Sequence, residues 1–243
     1  MMDKLQTKLT AIVDALEEDI LFGRLRPRER LIEDELIERF KASRHAVRQA
    51  LVDLERKGMV IRQRNRGAVV RDFTKDEVEH ICAVREMLHA QAAAMIPLPP
   101  PATLLRRLDR LHGLHSREVE RGNPRGIHQV NSEFHDTLFQ ACGNPYLVET
   151  IRDYAQMSLG FRCQLMVNPF LARRARDEHA MMIEALKKGD RAKLVRLCSN
   201  HTNAAKEVYF ASSGLADPPT EKRKPAPTST VRKPAARTVK ARA

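Results

Sequence analysis

Helical periodicity fills most of this 243-residue chain. From residue 74 to residue 211, apolar residues recur three and four positions apart, and no stretch alternates as a strand does. A capping box at Thr74 to Glu77 starts this region, and turn-forming residues such as Gly-Asn-Pro divide it. The pattern predicts an all-α bundle of six helices, at about 75–96, 102–121, 126–141, 146–166, 170–188 and 190–211.

The first 72 residues follow a different order. Apolar residues at helical spacing predict a first helix that Gly23 and Pro27 end, and a second helix covers about 33–40. Ser43 is placed to cap a third helix that stops at Gly58. A β-prone segment follows, with Asn65-Arg66-Gly67 as a hairpin turn at its centre. Helices followed by a hairpin in this order predict a winged helix-turn-helix.

The charge distribution points to a polyanionic partner. The net charge is +12, from 43 basic and 31 acidic residues. Residues 41–71 hold nine Lys and Arg against two acidic residues, and residues 213–243 hold eight against two. The last segment is rich in Pro, Ala, Thr, Lys and Arg and has too few apolar side chains to form a core, so we expect disorder there. The predicted organisation is therefore a DNA-binding domain at 1–72, a helical domain at 73–212 and a disordered basic tail at 213–243.

The remaining composition indicates a cytoplasmic protein. The four cysteines form no Cys-x-x-Cys pair and suggest no disulfide framework. The N-terminus lacks the apolar core of a signal peptide, and no apolar run approaches the length of a membrane span. We expect a cytoplasmic, nucleoid-associated protein with no membrane partner.

The third helix carries the candidate base-reading side chains. Its apolar face is predicted to be buried, whereas its other face and the hairpin present polar and basic groups. Arginine suits the paired acceptors of guanine in the major groove. The alternative is a solvated basic face, which the order of elements makes less favourable. The candidate DNA contacts are Ser43, Arg44, His45, Arg48, Gln49, Arg62, Arg64, Arg66 and Gly67.

Four residues of the helical region form a candidate metal site. Asn131 and His135 stand four positions apart and share one helical face, while His179 and His201 belong to later helices, His201 to the last. Three imidazoles and one oxygen ligand suit a divalent transition metal such as zinc, nickel, manganese or iron. The chain has nine histidines. Because histidines are this frequent in the chain, the spacing of these residues alone also fits scattered histidines with structural roles.

The N-terminal motif resembles the GntR family of bacterial regulators. The segment ASRHAVRQALVDLERKGMV is similar to the family's Ser-Arg-x-x-Val-Arg-x-Ala-Leu block. The resemblance implies DNA contacts by Ser43, Arg44, Arg48, Arg66 and Gly67, and a homodimer on an inverted repeat. Some members have Arg where this chain has Asp34, and no DNA contact is carried over to Asp34.

The helical region resembles the FCD ligand-binding domain of the FadR-type subgroup. The similar segments are AVREMLHAQAA, VNSEFHDTLFQACGNPYL and DEHAMMIEALKKGD, followed by His201. The resemblance assigns the metal-ligand roles to the four residues above, with Asn131 where Asp is common. It also implies that Arg85 binds an organic-acid effector near the metal, with His89 in place of the usual companion Glu.

The sequence therefore predicts a transcription regulator, with repression as the expected mode. Its helical domain is expected to bind a divalent metal and a small carboxylate. A structural ion pair is the alternative role for Arg85. Two rival functions are a metal-dependent enzyme that uses the histidines to activate water, and a nonspecific chromatin-like DNA binder.

Overall fold

The structure, a computed structural model, describes residues 2–63, 67–162 and 167–213. These residues are mostly helical, which confirms the predicted fold class. The helices are α1 (Met2–Leu21), α2 (Glu33–Phe40), α3 (Arg44–Arg56), α4 (Lys75–Met95), α5 (Ala102–Arg121), α6 (Pro124–Gln140), α7 (Pro145–Met157), α8 (Leu159–Arg162), α9 (Pro169–Lys187), α10 (Arg191–Asn200) and α11 (Asn203–Ser213). The strands are β1 (Arg30–Leu31), β2 (Val60–Gln63) and β3 (Gly67–Val70).

The N-terminal elements form the predicted winged helix-turn-helix. Ser43 caps α3, because its hydroxyl accepts a hydrogen bond from the Ala46 N–H at 3.2 Å. Strands β2 and β3 pair antiparallel, and β1, which the sequence analysis did not predict, pairs with the other edge of β3. The register places Arg30 opposite Val69 and Arg62 opposite Ala68.

The predicted single helix at 146–166 is not continuous. Helix α7 ends at Met157, and Ser158 donates its hydroxyl hydrogen bond to the Ala155 carbonyl at 2.9 Å. Such side-chain bonds to the backbone compete with helix continuation. The short helix α8 follows, and residues 163–166 of the predicted helix lie outside the described residues.

The predicted helix at 190–211 is also two helices. Helix α10 ends at Asn200 and α11 starts at Asn203, so the prediction that His201 lies within the last helix is wrong. Thr202 donates its hydroxyl hydrogen bond to the Ser199 carbonyl at 3.1 Å, again in competition with the helix. Because of this break and the one before α8, the described part of 75–213 has eight helical segments where six were expected.

The two parts of the chain meet through a buried tyrosine. The Tyr209 hydroxyl on α11 donates to Asp72 at 2.6 Å and accepts from the Phe73 N–H at 3.0 Å. Asp72 also pairs with Arg28 at 2.6 Å. The last described helix is therefore tied to the segment that follows the wing.

The sequence analysis predicted that no segment spans a membrane and that residues 213–243 form a disordered tail. None of the helices in the described ranges is both long and apolar enough to cross a membrane. The predicted tail lies outside the described residues, apart from Ser213 at the end of α11.

Candidate functional site

The predicted base-reading side chains lie together on one face of α3. The opposite face packs into the N-terminal core through Ala46, Val47, Ala50, Leu51 and Leu54. Arg44, His45 and Arg48 are exposed on the outer face, next to the capping residue Ser43. A helix with one apolar and one basic face is what major-groove reading requires.

Two acidic residues of α2, Glu33 and Asp34, form ion pairs with Arg44 and Arg48. Nη2 of Arg44 donates to Oδ1 of Asp34 at 2.6 Å. Nε of Arg48 donates to Oε2 of Glu33 at 2.8 Å, and Nη1 of Arg44 lies 3.5 Å from the same oxygen. Two positive and two negative charges therefore share the surface that was predicted to face DNA.

Two further predicted contacts have partners within the protein. The Gln49 amide is half-buried and donates to Asp53 at 3.1 Å. Arg62 is exposed on β2, with Nη1 at 3.7 Å from the Glu55 carboxylate. Both side chains lie on elements that were predicted to face DNA, and each has an acidic partner within the protein.

Gly67, at the start of β3, has a structural role that the sequence analysis did not identify. Its φ is +80°, and a Cβ there would lie 2.2 Å from the Leu31 carbonyl oxygen of β1. Only glycine fits such a close approach of two backbones. Arg64 and Arg66, the other predicted wing contacts, lie outside the described residues.

Three of the predicted metal ligands form a cluster. His135 on α6, His179 on α9 and His201 at the break between α10 and α11 have ligand nitrogens within 4.8 Å of one another. The Nε2 atoms of His135 and His179 are 3.2 Å apart. The three rings converge from different elements on one point, which is the arrangement a metal ion needs.

An acidic residue orients one of these rings. Nδ1 of His201 is bonded to the carboxylate of Glu178. Arg174 in turn donates to Glu178 at 2.9 Å. A carboxylate on one ring nitrogen fixes the tautomer and leaves the other nitrogen, Nε2, for a metal.

Burial controls the protonation of the cluster. It lowers the pKa of His135 and of His179 well below the ordinary value, and the charge of His201 acts in the same direction. Burial acts to raise the pKa of Glu178, but its bonds to His201 and Arg174 outweigh this and hold the pKa below its usual value. The neutral imidazole is the form that binds metal, so the donor set fits a divalent cation.

Asn131 lies one helical turn before His135 on α6. Both residues line two cavities of the helical part, so the fourth predicted ligand lies near His135. Its amide offers a neutral oxygen, which is a weaker donor than a carboxylate.

Arg85 is buried beside this cluster, and no carboxylate of the described residues forms an ion pair with it. Its side chain is 4% exposed, and Nε and Nη1 have no hydrogen-bond partner among the described residues. Burial, together with the nearby charge of Arg162, lowers the pKa of Arg85 well below its ordinary value. A buried guanidinium of this kind is a binding group for an anion.

A cavity of about 430 Å³ opens beside these groups. Arg85, Asn131 and His135 line it together with further charged residues, and the same three residues line a smaller cavity of about 50 Å³ that reaches His201. The other charged residues of the larger cavity are Glu17, Glu133, Asp136, Arg152 and Arg162. Its apolar wall consists of Phe139, Val148, Ile151 and Leu159. The size and mixed lining suit a small organic molecule.

Sequence reasoning missed two further histidines. His115 on α5 is fully buried, and its ring centroid is 5.0 Å from that of His179. His89, noted only as a replacement for Glu, is buried with its ring 6.4 Å from that of His135. No local pattern marks either residue, because their proximity to the cluster depends on how α4 and α5 pack.

The cavity also touches the N-terminal part of the chain. Glu17 of α1 lines it, together with Arg162 of α8. Leu159, at the other end of α8, is buried in the hydrophobic core of the N-terminal part. Helix α8 therefore contacts both the cavity and the core behind α3.

Known protein families match both the N-terminal part and the helical part of the chain. The family model for bacterial regulatory proteins of the gntR family matches residues 8–70, and the FCD domain model matches residues 80–204. The chain is 27% identical to the HTH-type transcriptional regulator BphR of Paraburkholderia xenovorans (strain LB400) over 207 residues. That match covers 82% of this chain and 84% of BphR.

Solved structures share the fold. McbR/YncC of E. coli superposes with a TM-score of 0.66 at 20% identity, over 85% of this chain and 98% of that one. A GntR transcriptional regulator from Rhodococcus sp. RHA1 gives 0.64 at 19% identity, over 85% and 99%. The two-part architecture is therefore that of this group of regulators.

Proposed function

Because the chain belongs to the GntR family of bacterial regulatory proteins and carries an FCD domain, we propose that it is a repressor whose effector is a small organic acid bound beside a divalent metal. GntR regulators bind operator DNA and FCD domains bind small-molecule effectors, so the protein is a DNA-binding transcription regulator and not an enzyme. The observation that carries the effector proposal is the buried Arg85, whose Nε and Nη1 have no hydrogen-bond partner among the described residues, in a cavity that His135 also lines.

His135, His179 and His201 would hold the metal, with Asn131 as an oxygen ligand. FCD domains often bind metal ions, and the lowered pKa values of His135 and His179 keep these two rings in the neutral, ligating form at neutral pH. A bound divalent cation would supply positive charge at the inner end of the cavity. Because all four donors are neutral, the site would keep the full charge of the cation and favour an anionic ligand.

Arg85 would bind the carboxylate of the effector. An unpaired buried charge costs on the order of several kcal/mol, and an anion that enters the cavity offsets this cost. A guanidinium binds a carboxylate through two parallel hydrogen bonds, which also orients the ligand. The apolar wall of the cavity would contact the remainder of the molecule.

The effector signal would pass through α8 and α1. Arg162 and Glu17 line the cavity, while Leu159 packs in the core behind the reading helix. We infer a homodimer on an inverted repeat, with one α3 in each half-site about 34 Å apart. Effector would favour the arrangement of the two DNA-binding domains that fits the operator less well.

Residues 1–72 would form the DNA-binding domain and residues 73–212 the effector domain. The basic segment 213–243 would add contacts to DNA phosphates, and the expected cytoplasmic, nucleoid-associated location stays a prediction.

The test is operator release by small carboxylates. An operator is first selected from random duplexes with the wild-type protein. A panel of carboxylic acids is then screened for loss of binding in a gel-shift titration, with metal present and after chelation. Release that needs both acid and metal, and that is lost in Arg85→Ala while DNA binding persists, is expected. Equal release from Arg85→Ala would show that Arg85 is not the anchor.

The chromatin-like alternative has its own outcome in the same assay. A nonspecific binder would yield no enriched sequence, and operator and shuffled duplexes would compete equally. A regulator prefers its operator by a large factor, typically about a thousandfold or more.

A further inference from the structure

The contacts of Arg44 and Arg48 with α2 assign a role to two acidic residues. Glu33 and Asp34 form the acidic pair, and Arg44 and Arg48 are the reading arginines. Oε2 of Glu33 contacts both arginines, at 2.8 Å and 3.5 Å, and Asp34 binds Arg44 at 2.6 Å. All four side chains belong to the same exposed corner of the helix-turn-helix, so DNA that docks there must meet the whole cluster.

We propose that the acidic pair is a specificity filter: it penalises binding to random DNA more than binding to the operator. On random DNA the reading arginines mostly meet phosphate oxygens, because matching bases rarely lie opposite both of them, and an arginine that moves from carboxylate to phosphate exchanges one anion for another. The operator presents matching base edges to both arginines, and a bidentate contact with guanine favours release of the arginine from its carboxylate. The two carboxylates also repel every phosphate backbone, whatever its sequence.

The atoms used in the two contacts differ, and the difference shapes the filter. Glu33 holds Arg48 through Nε, so both terminal nitrogens remain available to the paired acceptors of guanine. Arg44 is held through its terminal nitrogens, so it must leave Asp34 before it reads a base in the same way. Glu33 is thus a positioning residue for Arg48, and Asp34 competes with DNA for Arg44.

The exposure of the residues agrees with these roles. The Glu33 side chain is 20% exposed and lies beneath both guanidinium groups, whereas Asp34 is 75% exposed. The ion pair of Asp34 is exposed, and exposed ion pairs contribute little to folding. Glu33 is largely covered, so it is replaced by the isosteric Gln, and the effect of both changes is to be sought in DNA binding.

The experiment compares operator and shuffled duplexes in gel-shift titrations with the full chain. The double variant Glu33→Gln and Asp34→Asn keeps the shape of both side chains and removes the charges. We expect its affinity for shuffled DNA to rise and the operator-to-shuffled ratio to fall about tenfold, the scale of one bidentate base contact. Shuffled binding should also become more salt-dependent, by up to about 0.9 in the logarithmic slope per arginine released to a phosphate.

A matched control separates the filter from general charge. Glu35 is also on the first turn of α2 and is exposed, but among the described residues it contacts neither reading arginine. Glu35→Gln removes one negative charge and should raise both affinities by a similar factor, so that the ratio is kept. The ratio is insensitive to a partly unfolded preparation, because inactive protein lowers both apparent affinities equally.

The reading arginines provide the second test. In an Arg44→Ala, Arg48→Ala background, neutralising the acidic pair should leave the ratio unchanged, because the filter acts through these arginines. An operator-to-shuffled ratio that stays at the wild-type value in the Glu33→Gln, Asp34→Asn variant would overturn the proposal. So would a ratio that falls equally in Glu35→Gln. Either result would leave the proposed effector function untouched.

Discussion

Acid should destabilise the metal-free protein through His115. This ring is fully buried on α5, and neither of its nitrogens has a hydrogen-bond partner among the described residues. Burial, with a smaller effect from the charge of His112, lowers the pKa of His115 to about 4 from the ordinary 6.5. The unfolded chain therefore binds a proton at a pH where the folded chain does not.

The direction and size of the effect follow from this difference. The stability contributed by His115 is fully present above pH 6.5 and is lost as the pH falls towards 4. Each pH unit in that window corresponds to about 1.4 kcal/mol for one proton, so this ring alone removes about 3 kcal/mol from the free energy of unfolding. That amount is a large part of the stability of an ordinary domain.

The assay is urea unfolding of chelator-treated protein at several pH values between 7.5 and 4. In His115→Leu the free energy of unfolding should fall about 3 kcal/mol less across this range than in the wild type. His80 is exposed on α4, so His80→Leu is a control that should keep the wild-type pH dependence. Parallel curves for His115→Leu and the wild type would refute the reasoning.

Three further predictions concern the metal, the reading helix and the tail. Zinc or nickel at about a hundred times its dissociation constant should stabilise the wild type by about 2.7 kcal/mol. His179→Ala should abolish this gain, and Asn131→Asp should bind metal more tightly. A wild-type melting temperature that does not change when metal is added would exclude the site. Arg48→Ala should keep its fold but bind operator more weakly by ~1–3 kcal/mol per site in gel shifts, whereas unchanged selectivity would show that Arg48 reads no base. Residues 1–212 alone should bind operator and shuffled DNA more weakly by similar factors. The slope of log affinity against log salt should flatten by ~0.9 for each phosphate that the tail neutralises in the full chain. Salt titrations that run parallel to those of the full chain, with equal affinity, would oppose this.

The fold was largely predictable because its signals are local. Thr74 and Glu77 form the capping box in both directions, and Ser43 caps α3 as expected. Such motifs involve residues three positions apart and need no knowledge of the rest of the chain. The same is true of the Gly122 turn, which ends α5 in the left-handed conformation.

The predictions of secondary structure were incomplete or wrong where contacts between residues far apart in the sequence accompany the local structure. Strand β1 is two residues long and exists only because β3 offers it an edge. At the break before α11, His201 contacts Glu178, which lies on the preceding long helix α9. Neither contact leaves a pattern within a short window, so helical periodicity alone predicts a last helix that continues through the break.

The candidate site was predictable in its ligands but not in its surroundings. Family resemblance identifies the three clustered histidines and Asn131 by position. It gives no reason to place His115 beside them, because the contact between His115 and His179 joins α5 to α9 and depends on how these two helices pack. The sequence indicates that Asp34 is unsuited to contact phosphates, and the structure gives that carboxylate an arginine as its partner instead.

Helix α8 shows how a short element connects the site to the reading helix. Leu159 is buried in the core that supports α3, Gly160 lies so close to Phe73 that a Cβ would be 2.9 Å from its ring, and Arg162 lines the cavity. With no room for a side chain at Gly160, α8 cannot rotate without moving Phe73. A ligand that binds Arg162 better in one position of α8 would therefore favour one placement of the N-terminal core, and it would shift DNA binding only by that difference in affinity.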